Sequence, residues 1–212
     1  MNFFKKIINF FYAVFWEKSD LDTKKISYLE ILRIKDYTDE YNEQLEKNYL
    51  DSVVVAREYE EVKNLLKSYK YTGGRHLSLE ISKIYTGMIG DYFQGKSLKN
   101  TIIVAVPTHW RRWIWRGFDH MKIISQETAK NLDIRRISLL STSYTPQQSK
   151  LSKKERLHNK KDAFKIKKSI KIPENVILID DVISTGSTIN ECAKILKKHG
   201  VKKVYGFFLA RN

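Results

Sequence analysis

Apolar residues recur along this chain in two rhythms. Short unbroken runs, Val53–Ala56, Thr101–Val106, Val176–Ile179 and Val204–Leu209, are largely aliphatic and β-branched, as expected of strands covered on both faces. Between them the spacing lengthens to three and four residues. Tyr59, Val62, Leu65, Leu66 and Tyr69 share one face of a helix predicted over 58–69. Further helices are predicted over 76–93 and 121–132. A last one carries Ile189, Cys192, Ala193, Ile195 and Leu196 on one stripe, Lys197, Lys198 and His199 in its final turn, and Gly200 to close it. Strands alternating with helices predict an α/β domain whose parallel sheet is flanked by helices.

Two stretches fall outside these rhythms at the start of the chain. Residues 17–50 are charged, balanced in sign and without chemistry, so the expected division is an N-terminal appendage over 1–50 and a domain over 51–212. Ahead of them, Phe3–Trp16 is strongly apolar, with Phe3, Ile7, Phe10, Phe11, Val14 and Phe15 at helical spacing. It is too short to span a bilayer unaided and lacks a small-residue cleavage site. Docking onto the protein's own domain or a partner, peripheral membrane contact through the aromatic face, and an uncleaved anchor all stay open.

Charge changes the picture, because it is uneven. The chain carries a formal +15, and residues 111–172 hold 17 Lys/Arg against 5 Asp/Glu. A Lys-rich composition explains Lys in place of Arg but not this clustering, which is the footprint of a polyanion: a polyphosphate ligand or nucleic acid. The single cysteine, Cys192, rules out an intrachain disulfide or a cysteine-based zinc site within this sequence. It is expected to be a buried, inert thiol, consistent with a cytoplasmic setting.

The densest chemistry lies over 176–188: Val-Ile-Leu-Ile-Asp-Asp-Val-Ile-Ser-Thr-Gly-Ser-Thr. A buried strand is expected to end at Asp180 and Asp181, before a hydroxyl- and glycine-rich loop that opens the last helix. Carboxylates accept hydrogen bonds from vicinal hydroxyls, and backbone N–H groups at a helix N-terminus hold a phosphate. Ser184, Thr185, Gly186, Ser187 and Thr188 are the expected phosphate contacts. Helix capping alone would need one such residue rather than two acids and five small residues. The glycine spacings of NTPase and dinucleotide loops are absent.

Two more segments carry candidate contacts. After the strand that ends at Pro107 come Thr108, Trp110, Arg111, Arg112, Trp113, Trp115 and Arg116. Arg suits bidentate phosphate contact, and Trp can stack on a base or sugar. A Trp cluster with Arg on its rim is the alternative. His109 and His120 have no acidic or His partner at ligand spacing, so local hydrogen bonding is expected of them. Residues 145–159 are polar and basic and include Arg156; they could fold over an anion or remain a solvated loop.

The strand, acidic pair and Ser/Thr-Gly loop resemble the phosphoribosyl pyrophosphate (PRPP) motif of type I phosphoribosyltransferases. In order along the chain, other segments are similar to the ComF family of competence proteins: Lys70, Tyr71 and Gly73 in a turn, Val106-Pro107, Arg116-Gly117-Phe118, Thr145, Gln148, Leu151, Arg156, Asn159, Ala163-Phe164 and the terminal Leu209-Ala210-Arg211. That resemblance spans about residues 51–212. It implies a type I phosphoribosyltransferase fold and PRPP as ligand. Asp180 and Asp181 would meet the ribose and residues 184–188 its phosphate. Pro107, Thr108, Arg111, Arg112 and Arg116 would meet the pyrophosphate with Mg²⁺. Arg156, Tyr71, Trp113 and Trp115 would lie in the flexible loop or stack.

The resemblance further implies a role in natural transformation, handling single-stranded DNA alongside a competence helicase and DNA-loading proteins. Two departures stand out. The four-cysteine zinc module common at the start of that family is missing, so no zinc is expected, and Asp119 and His120 replace the usual Asn-Gln. Transfer to an unidentified acceptor and non-catalytic sensing of PRPP or a nucleotide are both compatible with these residues.

Overall fold

The computed structural model describes residues 34–71, 74–107, 119–142, 164–167 and 171–212, with the side chains of 68–76 left aside. Eight strands and five helices order this part of the chain: β1 (Lys35–Asp36), α1 (Thr38–Gln44), β2 (Ser52–Glu58), α2 (Tyr59–Tyr71), α3 (Gly74–Tyr92), β3 (Thr101–Ala105), α4 (His120–Asn131), β4 (Arg135–Arg136), β5 (Leu140–Thr142), β6 (Phe164–Ile166), β7 (Asn175–Ile183), α5 (Ser187–Lys198) and β8 (Lys203–Arg211). Of the residues 70–75, where the sequence suggests a turn, Lys70 and Tyr71 belong to α2, and α3 begins at Gly74.

Six strands form one sheet in the order β1-β2-β8-β7-β3-β4, all parallel except the short edge strand β1. β5 and β6 form a separate antiparallel ribbon. The α/β arrangement with a parallel sheet and flanking helices is thus as the hydrophobic pattern predicts. Alternation along the strands divides the core. Val53, Val55, Ile102, Val104, Val176, Leu178 and Phe208 pack with α1, α5 and the β5–β6 ribbon. Val54, Ala56, Ile103, Ile177, Ile179 and Phe207 pack with α2, α3 and α4. This is the period-two signature of a sheet buried on both faces.

Residues 34–50 belong to this core. Tyr37, Tyr41 and Leu50 are buried among the same side chains as Val53, Ile189 and Phe208. Tyr41 is fully buried. β1 pairs with β2, and the Tyr37 N–H donates to the Val53 carbonyl at 2.8 Å. The sequence hid this because Tyr37, Tyr41 and Leu45 are the only aromatic or aliphatic residues of α1 and its caps, one helical face among charged and polar residues. Ile189 and Phe208, which they pack among, lie more than 140 residues further along the chain.

The end of α5 follows its sequence signal. Gly200 adopts φ +97°, the Gly200 N–H reaches the Lys197 carbonyl and the Val201 N–H the Leu196 carbonyl, both at 3.1 Å. Those two bonds make a Schellman closure. Among the described residues no helix is long and apolar enough to cross a membrane. The Phe3–Trp16 stretch lies outside the described residues.

Candidate functional site

The sheet order locates a crevice. β3 leads through α4 to β4 on its outer side, whereas β7 leads through α5 to β8 on the opposite side. Neighbouring parallel strands whose connections depart in opposite directions leave a cleft beyond their carboxyl ends, where ligands bind in open α/β sheets. Pro107 follows β3 at this edge. From β7 the edge receives Asp180, Asp181 and residues 184–188.

The acidic pair corrects one expectation. β7 does not end at Asp180 but runs on to Ile183. On one side β3 stops: its last register pair is Ala105 with Ile179, and the Val106 N–H closes on the Ile179 carbonyl at 3.0 Å. On the other side β8 continues, pairing Asp180 with Phe208, Val182 with Ala210 and Ile183 with Arg211. The two acids are therefore held as strand by β8, past the last residue of β7 that β3 pairs with. Both are half-buried. The Asp181 N–H donates to Asp180 Oδ1 at 2.9 Å, which ties the Asp180 carboxylate to the peptide that joins the two acids.

The loop after β7 is shaped by its contacts. Gly186 sits at φ +69°, and an added Cβ would lie 2.8 Å from Cδ1 and Cε1 of Tyr41. Only glycine meets both demands. Tyr41 also donates its hydroxyl to the Ser184 carbonyl at 2.6 Å. The Gly186 carbonyl accepts the first helical bond of α5, from the Asn190 N–H at 2.9 Å. The N–H groups of the first turn have no intrahelical acceptor and face the loop's mouth, where the helix dipole favours an anion. Ser184, Thr185 and Thr188 are exposed there, and the Thr185 and Ser187 hydroxyls lie 3.0 Å apart.

The N-terminal segment braces this helix twice more. Asn190 accepts from the Tyr49 N–H and donates to the Lys47 carbonyl, both at 2.8 Å. Arg211 forms a two-pronged ion pair with Glu40 and stacks over Tyr37, its guanidinium 4.4 Å from the ring centre. Reading residues 17–50 as free of chemistry therefore missed Tyr41. The only available signal was an isolated aromatic on a polar helix, and nothing local pairs it with Ser184, 143 residues on.

Beneath the acids, α3 supplies Tyr85, a residue of the helix predicted over 76–93 to which the sequence assigned no role. It is fully buried. Its hydroxyl donates to the Asp180 carbonyl at 2.5 Å and accepts from the Leu209 N–H at 3.1 Å. Burial, then the charges of Asp181 and Asp180, push its ionisation well up. On the other layer, burial and then Asp180 push the Cys192 thiol up, so the cysteine is a buried, unreactive thiol as expected.

Several expected contacts lie outside the described residues: Thr108, Arg111, Arg112, Trp113, Trp115, Arg116 and Arg156, with the side chain of Tyr71. Asp119 and His120 are placed. Asp119 caps α4 by accepting from the Lys122 N–H at 3.0 Å, and His120 is buried in the helix's first turn.

Comparison with known proteins fits this geometry. The phosphoribosyl transferase domain family matches residues 116–210. "Competence protein F" of Haemophilus influenzae is 31% identical over 169 residues, covering 75% of this chain and 72% of that protein. The chain belongs to the ComF family. Its sheet, with the acidic pair and loop at the switch point, is the type I phosphoribosyltransferase fold. "DNA utilization protein YhgH" of Escherichia coli K12 is 33% identical over 113 residues, 52% of this ComF-family chain and 49% of that protein, so the chain spans about half of that relative. A hypoxanthine phosphoribosyltransferase of Staphylococcus aureus overlays 65% of each chain at 15% identity with a TM-score of 0.37, too loose to carry an argument.

Proposed function

We propose that this ComF-family protein binds PRPP at the β3–β7 crevice and acts in natural transformation, handling single-stranded DNA taken up by the cell. The observation that carries the ligand is the joint placement of Asp180 and Asp181 beyond the end of β3 and of the glycine-bent loop at the N-terminus of α5. The acids accept from the ribose hydroxyls, and the 184–188 backbone and hydroxyls hold the 5-phosphate. The pyrophosphate falls to Pro107, Thr108, Arg111, Arg112 and Arg116, with Trp113, Trp115 and Tyr71 for stacking and Arg156 to close over the ligand.

Asp180 and Asp181 are hard oxygen donors beside a polyphosphate, which suits Mg²⁺ held mainly by substrate oxygens and water. Mg²⁺ would neutralise charge on the pyrophosphate. Among the described residues no group of three or more His, Cys, Asp or Glu gathers as a protein-built metal cluster would. Zinc has no place in this reading.

The DNA role draws on two supports: the relatives named for competence and DNA utilisation, and the basic excess of residues 111–172. Partners on this reading are single-stranded DNA, a competence helicase and DNA-loading proteins, in the cytoplasm, with Phe3–Trp16 as a candidate peripheral membrane contact. Calorimetry with PRPP and Mg²⁺ tests the ligand. Asp180→Asn with Asp181→Asn should abolish binding and leave the fold intact; unchanged affinity would refute the site. Incubation with PRPP, Mg²⁺ and oligonucleotides or free bases separates two outputs. Acceptor-dependent pyrophosphate release marks a transferase, and tight binding without turnover marks a sensing module. Single-stranded DNA affinity should fall steeply with salt. A flat response would remove nucleic acid from the partners.

A further inference from the structure

We infer that Tyr85 is the positioning residue of the acidic pair: its hydroxyl, inserted between β7 and β8, sets the peptide plane that joins Asp180 to Asp181 and so aims both carboxylates at the crevice. The inference rests on the proposed ribose site.

Adjacent residues of a strand point to opposite faces of its sheet. Strict alternation sends Asp180 toward the α5 layer and Asp181 toward the α3 layer. The electrostatics agree, since Asp180 acts on Cys192 of α5 and Asp181 is the larger charge influence on Tyr85 of α3. Two carboxylates on opposite sides of a strand can grip one vicinal diol only if the peptide between them is held at a defined tilt above the sheet edge. That single peptide unit is fixed at both ends. Its carbonyl, from Asp180, accepts from the Tyr85 hydroxyl, and its N–H, from Asp181, donates to Asp180 Oδ1.

Three further observations place the disturbance at this level of the sheet. The Leu209 N–H, facing the same carbonyl from β8, is taken by the Tyr85 oxygen. The register of β8 skips Leu209 against both neighbours, passing from Phe208 to Ala210 opposite β7 and opposite β2. The pleat also changes phase there. Val176 and Leu178 pack with the α5 side, yet Val182 packs with the α3 side, and on β8 both Leu209 and Ala210 do so. A phenol oxygen bridging an inter-strand carbonyl and N–H accounts for all three. Tyr85 is fully buried on α3, so it enters as a rigid wedge whose reach is set by helix packing.

Removing only the oxygen lets the Asp180 carbonyl and Leu209 N–H either close on each other or stay unpaired; both outcomes retilt the 180–181 peptide. The phosphate loop, held separately by Tyr41, is untouched. Calorimetry of wild type and Tyr85→Phe with ribose 5-phosphate, 2-deoxyribose 5-phosphate and inorganic phosphate separates the two. Wild type should prefer the ribose over the deoxyribose compound by about tenfold or more, the weight of a hydrogen bond to a charged group. In Tyr85→Phe that preference should fall below about threefold, the phosphate affinity staying within a factor of about two.

A folded Tyr85→Phe protein that keeps the full preference overturns the role of Tyr85. No preference in wild type overturns the ribose reading beneath it. Should Tyr85→Phe not fold, amide NMR of wild type decides: the Asp181 and Leu209 signals should move with ribose 5-phosphate and not with the deoxy compound. Equal movement, or none, overturns the inference.

Discussion

Replacing Gly186 by alanine perturbs the proposed phosphate loop through one methyl group. Residue 186 sits at φ +69°, a left-handed conformation that costs an L-residue about 1–2 kcal/mol. The new Cβ would stand 2.8 Å from two ring carbons of Tyr41 and 3.7 Å from Leu45 Cδ1. Tyr41 cannot swing aside freely, because it is fully buried and its hydroxyl is held by the Ser184 carbonyl. Such overpacking adds about 1–3 kcal/mol. The sum, about 2–5 kcal/mol, corresponds to a melting-temperature loss on the order of 5–15 °C for a chain of this size.

Thermal or urea unfolding measures that loss, and phosphate affinity should weaken at the same time, because either the loop or the tyrosine must move. The two contributions are separable. In a Tyr41→Ala background the clash is gone, so Gly186→Ala should cost only its backbone part, about 1–2 kcal/mol. Gly186→Ala with wild-type stability and phosphate affinity, or equal costs in both backgrounds, would refute the account of why glycine stands here.

Tyr41→Phe keeps the ring but strips the donor from the Ser184 carbonyl, so stability should drop by about 0.5–1.5 kcal/mol and phosphate binding should weaken; an unchanged loop affinity would count against the brace. Asp51 is partly desolvated, which alone would raise it, but bonds from Lys197, Lys203 and the Val204 N–H hold it below its ordinary 3.8. A carboxyl depressed in the folded state stabilises above its unfolded value and loses that contribution as pH falls through the folded one. The stability gap between wild type and Asp51→Asn should therefore be full at pH 6 and shrink below about pH 4, as pH-dependent unfolding would reveal. The Cys192 thiol, buried and pushed up, should react with an aromatic disulfide reagent only as fast as the protein unfolds; rapid labelling of native protein would contradict its burial.

How much of this was legible in the residues varies with the range of the interaction. The β7–α5–β8 unit was readable because every signal is local. Four apolar residues make a buried strand, the stripe from Ile189 to Leu196 makes one helix face, and Gly200 closes the helix by a bond pattern spanning six residues. The Asp180–Asp181 pair and residues 184–188, the proposed ribose-phosphate cradle, could be picked out for the same reason, since they lie within thirteen consecutive positions. The length of β7 was not. Asp and Ser signal a strand's end by propensity, and only β8, pairing through Ile183, keeps the acids extended.

Sequence alone determined the α/β class and the uneven charge, and it singled out the residues of the proposed cradle, because hydrophobic period, helix closure and residue chemistry act over a few positions. Tertiary structure decided which strands are neighbours, and hence where the cleft opens. It also decided what holds the cradle in shape. Tyr41 reaches Ser184 across 143 residues and Tyr85 reaches Asp180 across 95. Tyr41 is an isolated aromatic on a polar helix and Tyr85 lies on a largely apolar one, and neither pattern names a hydrogen-bond partner. The hydroxyl at the ring's tip finds its partner only when the sheet brings β7 beneath it, and no local pattern encodes a hydrogen bond between elements that meet by folding.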